Sequence, residues 1–256
     1  MLLAFDIGNT TVAIGLFRGP KLVKGWKIKT DRDKTGDEYG AILLNLFQAA
    51  ALHPKKIEAA IISSVVPPLT PVIQDVCRDF FGLDALVVGP GLKTGMPILY
   101  ENPLEVGADR IVAAVAAFEK HGGPAIVVDF GTATTFDAIS AKGEYLGGAI
   151  APGIQISAEA LYLKTARLPR IEIKKPKRAI GRTTVASMQS GLYFGYIGLV
   201  TNTINEVRKE IGKNATVVAT GGFGGQITPE VPAIDVYEPD LVLEGLRIIY
   251  DRNRDA

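Results

Sequence analysis

Phe5-Asp6-Ile7-Gly8-Asn9-Thr10-Thr11 and Val128-Asp129-Phe130-Gly131-Thr132-Ala133-Thr134 decide how this chain is read. Each segment follows a short apolar run that ends on an aspartate. Each then gives Asp-x-Gly, small hydroxyl or amide residues, and a second run with strand character. The two aspartates lie 123 residues apart in a chain of 256. Three-strand and then helix signals accompany both copies. The simplest reading is two similar α/β halves, 1–120 and 121–256, with a cleft between them.

The motif carries its own chemistry. A strand delivers an aspartate at its end, and glycine lets backbone N–H groups approach a phosphate with no Cβ in the way. Asn and Thr add neutral hydrogen-bonding groups, and the carboxylate can hold a hydrated Mg²⁺ beside phosphates. One copy alone is equally an Asx-capped hairpin turn. Two copies half a chain apart point to a phosphate site. A third glycine-rich turn, Gly221-Gly222-Phe223-Gly224-Gly225, follows a strand signal at Thr216 to Ala219 and is placed to meet a base or ribose.

Composition narrows the class. Hydrophobic residues make up 47% and charged residues 21%, which fits a globular fold and excludes a disordered chain. The 28 Lys+Arg against 27 Asp+Glu argue against a dedicated nucleic-acid or membrane-surface binder. Cys77 is the single cysteine, so no intramolecular disulfide or cysteine zinc cluster forms, and a free thiol suits a reducing compartment. His53 and His121 are the only histidines. Both read as helix-end residues, which leaves little for a Ser-His-Asp triad. Asp6 interrupts the first apolar run and no apolar stretch approaches ~20 residues, so neither a secretory signal nor a membrane span is expected. The expected location is the cytoplasm.

Along the chain, strands are expected at Leu2–Phe5, Thr11–Phe17, Lys21–Ile28, Ile57–Ser63 and Ala85–Val88. Thr35 and Glu38 form a capping-box pattern for a helix over Gly36–Leu52, and Pro71–Phe80 reads as another helix. Asn102-Pro103-Leu104-Glu105 reads as the start of a helix that runs to Lys120. Strands follow at Ala125–Val128, Thr134–Ile139 and Tyr145–Ile150, with a helix at Ile154–Leu163. Arg167–Gly181 is irregular and basic. A long helix over Thr184–Ile211 contains Gly191, Gly195 and Gly198, which lower helix propensity and signal close packing against another element. That face is a candidate dimer surface or a core-packing face. Leu241–Tyr250 is a final helix. The chain has no GxxxxGK[ST] P-loop and no G-x-G-x-x-G after the first strand, so neither a P-loop nor a Rossmann site is expected.

The Asp-x-Gly turns resemble the sugar-kinase, heat-shock-protein-70 and actin superfamily of ATP-binding folds, built of duplicated ribonuclease H-like halves with mixed sheets flanked by helices. The segments DIGNTT (6–11), SSVVPPLT (63–70), VGADRIVAAVAA (106–117), DFGTATTFD (129–137), GGAIAPG (147–153), TARLPRIE (165–172) and SMQSGLYFGYIGLV (187–200) narrow the resemblance to type III pantothenate kinases. The resemblance covers nearly the whole chain. It implies transfer of the ATP γ-phosphate to the primary hydroxyl of pantothenate, giving 4′-phosphopantothenate for coenzyme A. It also implies Mg²⁺ with the nucleotide, a monovalent cation (K⁺ or NH₄⁺), and a homodimer, with no nucleic-acid or membrane partner.

By the family pattern, Asp6, Ile7, Gly8, Asn9, Thr10, Thr11, Val12 and Ala13 cradle the ATP phosphates, with Asp6 on the Mg²⁺ side, directly or through water. Asp129 helps bind the monovalent cation and Thr132 contacts ATP. Tyr100, Gly107, Ala108, Asp109, Arg110 and Thr184 contact pantothenate, and Asp109 is the catalytic base. Some members carry Lys where this chain has Ala13, so no phosphate-binding lysine is assigned. Arg110 beside Asp109 favours the ionised carboxylate but weakens it as a base. If Arg110 binds the pantothenate carboxylate bidentately, its charge is used there.

Spacing alone leaves plainer readings open. Asp109-Arg110 is also a solvated helix pair, Tyr100 a packing residue and Thr184 an N-terminal cap. Lys174, Lys175, Lys177 and Arg178 form either a solvated loop or a steering patch for anionic ATP, and Phe223 is either an adenine platform or a buried turn residue. Three rival functions stand beside the pantothenate kinase: another kinase of the superfamily acting on a sugar or acetate, a nucleotide-binding regulator without kinase activity, and an actin-like polymer.

Overall fold

The computed structural model describes residues 1–254. By compactness the described residues divide into two units: residues 1–96, 101–116 and 240–254, and residues 97–100 and 117–239. The first unit starts with an antiparallel meander, β1 (Leu2–Ile7), β2 (Thr11–Arg18) and β3 (Lys21–Lys29). Helix α1 (Gly36–Ala49) follows, opened by the expected capping box: Thr35 Oγ1 accepts the Glu38 amide while Glu38 accepts the Thr35 amide. Then come β4 (Ala59–Ser64), α2 (Leu69–Phe81), β5 (Leu86–Val87) and α3 (Ala108–His121). Helix α3 passes from the first unit into the second.

The second unit repeats the plan with β6 (Ala125–Phe130), β7 (Ala133–Ile139) and β8 (Tyr145–Pro152). After α4 (Ile154–Lys164), residues 165–183 hold no regular element, as expected of the basic stretch. The long α5 (Thr184–Ile211) and β9 (Thr216–Thr220) match their expected spans closely. The short α6 (Gly224–Ile227) and β10 (Val236–Tyr237) complete this unit, and α7 (Leu241–Asn253) returns the chain to the first.

Strand order confirms the duplication. The first sheet runs β3-β2-β1-β4-β5 and the second, read from its far edge, β8-β7-β6-β9-β10. In both, the strand that carries the motif aspartate as its penultimate residue is central, antiparallel to the next strand and parallel to the fourth. The period-2 alternation of a strand explains the layering. Leu3, Phe5 and Ile7 of β1 join Val12, Ile14, Ile62, Tyr39, Leu43, Phe47, Ile73 and Val76 in one core under α1 and α2. Leu2, Ala4 and Asp6 point to the opposite face, over which α7 packs. In the second unit Ile126, Val128 and Phe130 pack against Tyr193, Tyr196, Val200 and Ile204 of α5.

One expected element is corrected. The helix does not start at Pro103. Asn102 Oδ1 accepts the Leu104 amide, but it caps only a 3-10 turn over Pro103–Glu105. Val106 is then extended and buried. The Gly107 carbonyl accepts the Arg110 and Ile111 amides and opens α3 one residue later. An N-cap and a proline at N1 serve a single turn as well as a helix, so the pattern could not fix the length.

Candidate active site

The first acidic turn belongs to the β1–β2 hairpin. Ile7 pairs with Val12, so Gly8–Thr11 forms the loop, closed by the Gly8 amide donating to the Thr11 carbonyl at 3.0 Å. A Cβ on Gly8 would lie 3.1 Å from that carbonyl, which explains the glycine. Asn9, Thr10 and Thr11 are exposed and Asp6 is half-buried. Val12 faces the core, while Ala13 stands in register with Asp6 and shares its face.

Two residues that the sequence reading missed brace this loop. Thr30 donates from Oγ1 to the Gly8 carbonyl at 2.6 Å and from its amide to the Thr10 carbonyl at 3.0 Å. Arg32 donates from its guanidinium to Asn9 Oδ1 at 3.0 Å, putting an exposed positive charge on the turn. The signal was present in sequence, since Thr30 and Arg32 follow directly on β3 and its partner β2 begins at the turn.

Asp109 belongs to the same unit. The Val65 amide donates to the Ile7 carbonyl, which places the start of the β4–α2 connection at the end of β1. A Cβ on Gly107 would meet Asp109 Oδ1 at 2.5 Å and Val65 Cγ1 at 3.4 Å. The carboxylate therefore folds over Gly107 beside Val65, at the end of the sheet that carries Asp6 to Gly8. Asp109 Oδ1 accepts the Arg110 amide at 2.8 Å. Burial pushes the Asp109 carboxyl above its usual range, against the opposing pull of the Arg110 amide and guanidinium. Ala108 and Arg110 are half-buried in the same first turn of α3.

In the second unit the echo is staggered. Phe130 pairs with Thr134, so the loop is Gly131–Ala133, one residue shorter than its counterpart, closed by Gly131 N–H to the Ala133 carbonyl at 3.1 Å. Thr132 is exposed and Asp129 half-buried. The third glycine-rich turn packs on Asp129: a Cβ on Gly221 would lie 2.3 Å from its Oδ1. Tyr237 shapes that turn from the other side, donating to the Gly221 carbonyl at 3.0 Å and leaving Gly224 no room for a side chain. Phe223 packs against the second core, which fits the buried-turn reading.

Tyr100 lies in the short segment that joins the second unit. The Tyr145 amide donates to the Pro97 carbonyl and the Leu99 amide to the Tyr145 carbonyl. The Tyr100 ring then rests on Gly147, where a Cβ would be 3.4 Å from the ring and φ is +121°. Thr184 is not the cap of α5. Thr183 Oγ1 accepts the Ala186 amide, and Thr184 is exposed in the first turn. In the basic run, Lys174 pairs with Glu172 and Lys175 with Glu230.

With this arrangement in place, the comparisons with known proteins are decisive for the family. The profile of type III pantothenate kinases matches residues 2–206. The chain belongs to the type III pantothenate kinase family. It is 56% identical over 253 residues to the Moorella thermoacetica member, covering 99% of this chain and 100% of that one. It is 54% identical over 254 residues to the Pelobacter propionicus member, with the same coverage. A Campylobacter jejuni structure provisionally named a Baf family transcriptional activator superposes with TM-score 0.63 at 19% identity, over 99% of this chain and 100% of that one. A Porphyromonas gingivalis structure provisionally named an N-acetylglucosamine kinase gives 0.53 at 12% identity, over 99% and 100%. At those identities the likeness concerns the fold, which is the duplicated ribonuclease H-like fold of sugar kinases and actin-like ATPases. Among the described residues no helix is long and apolar enough to cross a membrane. No group of three His, Cys, Asp or Glu side chains there forms a metal cluster.

Proposed function

We propose that this chain is an ATP-dependent pantothenate kinase that phosphorylates the primary hydroxyl of pantothenate, the first step of coenzyme A synthesis. The observation that carries the reading is 56% identity over 253 residues to a family member together with a half-buried carboxylate, Asp109, folded over Gly107 next to Val65, whose amide is bonded to the last residue of β1.

In this reading the Gly8–Thr11 turn and Asp6 hold the phosphates, with Ile7, Val12 and Ala13 fixing the hairpin. Asp129 and Thr132 complete the nucleotide side. Tyr100 and Gly107 to Arg110 receive pantothenate together with Thr184, and Arg110 takes its carboxylate as a bidentate pair. Asp109 orients the alcohol and accepts its proton late, as the phosphoryl group moves to the oxygen and ADP leaves. Oδ1 is engaged by the Arg110 amide, so Oδ2 is assigned the proton. Burial raises the proton affinity of this base. A positioned base of this kind contributes about 10²–10⁴-fold.

The kinase reaction calls for a divalent ion with ATP, and the residues fit one. Asp6 supplies carboxylate oxygen and its register neighbour on β4, Ser63, a buried hydroxyl, an oxygen donor set suited to a hard cation such as Mg²⁺. When bound, such an ion spreads the charge that develops on the phosphates. Asp129, an oxygen donor against the Gly221 backbone, fits a monovalent cation, K⁺ or NH₄⁺.

The enzyme acts as a homodimer in the cytoplasm. Gly191, Gly195 and Gly198 lie on one exposed face of α5, and, their chain neighbours and the adjoining backbone of the helix apart, no atom of the described residues comes within 4 Å of a Cβ built on any of them. The close packing that these glycines signal is therefore not met within the chain, which favours the dimer-surface reading. Ile150, Leu163 and Ile180 of the same unit are also exposed.

The test is mass-spectrometric detection of phosphopantothenate after incubation with ATP, Mg²⁺ and pantothenate, with and without K⁺. Product that depends on pantothenate and increases with K⁺ supports the reading. ATP binding without product from pantothenate, or product only from a sugar or acetate, overturns it.

A further inference from the structure

Ser63 is fully buried at the end of β4, yet its Oγ has no hydrogen-bond partner among the described residues. A buried hydroxyl in that condition is unfavourable and calls for an explanation. Strand β4 pairs in parallel with β1, and Ser63 is the register partner of Asp6. Register partners in neighbouring strands send their side chains to the same face. The Ser63 hydroxyl therefore stands beside the Asp6 carboxylate, on the face opposite the α1–α2 core.

The second half of the chain independently repeats the arrangement. Strand β9 pairs in parallel with β6, and the register partner of Asp129 is Thr220, also buried. Each motif aspartate thus has a buried hydroxyl residue at the same place on the fourth strand of its sheet. These hydroxyls lie outside the Asp-x-Gly segments, 57 and 91 residues further along the chain. Packing alone asks for an apolar residue there, as at the equally buried Ile61, two positions earlier on the same face of the strand.

We infer that Ser63 is a positioning residue of the phosphate site, its hydroxyl holding a water of the hydrated divalent cation that accompanies ATP on the Asp6 side. A carboxylate accepts hydrogen bonds from such waters, whereas a hydroxyl can both accept and donate. The pair therefore fixes the orientation of a hydrated ion better than the carboxylate alone. This inference rests on the kinase reading above.

Ser63→Ala and Ser63→Thr test it, the second because Thr occupies the equivalent place in the second half. Three quantities are measured on the whole enzyme: the unfolding temperature without ligand, and the affinity for ATP by calorimetry in Mg²⁺ and in EDTA. Ser63→Ala should unfold at or above the wild-type temperature, because no intramolecular hydrogen bond is lost. Its ATP affinity in Mg²⁺ should fall about tenfold, the scale of one hydrogen bond to a charged assembly. In EDTA the two proteins should bind ATP equally, and Ser63→Thr should return the Mg²⁺ affinity to within about twofold of wild type. A lowered unfolding temperature in Ser63→Ala would make the role structural and overturn the inference. Unchanged affinity in Mg²⁺, or an equal loss in EDTA, would overturn it as well. Should Ser63→Thr unfold early, the Ser63→Ala affinities decide alone. Wild-type protein that binds no ATP in Mg²⁺ would instead sink the kinase reading itself.

Discussion

Gly221 stands directly against Asp129: a Cβ there would lie 2.3 Å from Asp129 Oδ1 and 2.6 Å from the Phe130 amide nitrogen, at a φ of +90°. The third glycine-rich turn and the second acidic turn are therefore one packed unit. Two penalties coincide at this glycine, a left-handed backbone and an overlap with main chain that cannot swing aside. Gly221→Ala should destabilise the protein by about 3 kcal/mol and weaken ATP binding, because the Asp129 carboxylate must move. Gly222→Ala is the control, since its Cβ would meet nothing within 4 Å. Denaturant unfolding and ATP calorimetry on both variants check the contrast.

As the proposed base, Asp109 should couple pH to activity as well as to stability. Burial raises its carboxyl pKa, so the acid limb of kcat should fall above the range of an exposed aspartate. The sign for stability is the opposite of that for a salt-bridged aspartate. A folded pKa above the unfolded one means that the native state holds the proton more tightly, so this contribution is present at low pH and lost as pH rises through the folded pKa. Asp109→Asn should therefore lower turnover by about 10²–10⁴-fold. It should leave ATP affinity unchanged and leave stability at neutral pH equal or higher. Turnover near wild type in this variant would remove Asp109 from the mechanism.

The fold was legible because its signals are local and repeated. Apolar runs that end on Asp6 and Asp129 placed the central strands, and the Thr35–Glu38 box placed α1. Gly212 closes α5 as its C-cap. What the sequence hid depends on contacts between distant segments. Asn102 and Pro103 open a turn rather than a helix because Val106 is drawn into the core and Asp109 folds over Gly107. The two-residue β10 is too short to carry a period. The pairing of Ser63 with Asp6 and of Thr220 with Asp129 becomes visible only when strand register is known, because no spacing along the chain announces it.

Arg32 supplies a charge that the Ala13 position lacks. Its guanidinium is held by Asn9 Oδ1 at the exposed tip of the β1–β2 turn, the proposed phosphate site. Arg32→Ala should weaken ATP binding about three- to tenfold, and the deficit should shrink as salt rises, because an exposed charge is screened. Pantothenate affinity should be unaffected. Titrations of ATP at low and high KCl distinguish this from a loop-folding effect, which would persist in salt. Arg32→Lys should recover only part of the loss, since an ammonium lacks the planar fork that both binds Asn9 and faces outward.

The glycine face of α5 gives a prediction with two opposite readouts. Gly195 is exposed in the middle of a 28-residue helix and has open space around its missing Cβ. Within one chain, replacing it with a better helix former should stabilise the helix by about 1 kcal/mol. If the face is a dimer surface, a long side chain there should hold two helices apart. Gly195→Gln should therefore shift the protein from dimer to monomer in sedimentation velocity at micromolar concentration. Phe194, partly exposed beside it, should become more accessible to solvent in the same variant. Gly195→Ala should be tolerated better than Gln, because a methyl group adds the least bulk. A dimer of wild-type strength in Gly195→Gln, combined with a higher unfolding temperature, would place the interface elsewhere on the second unit.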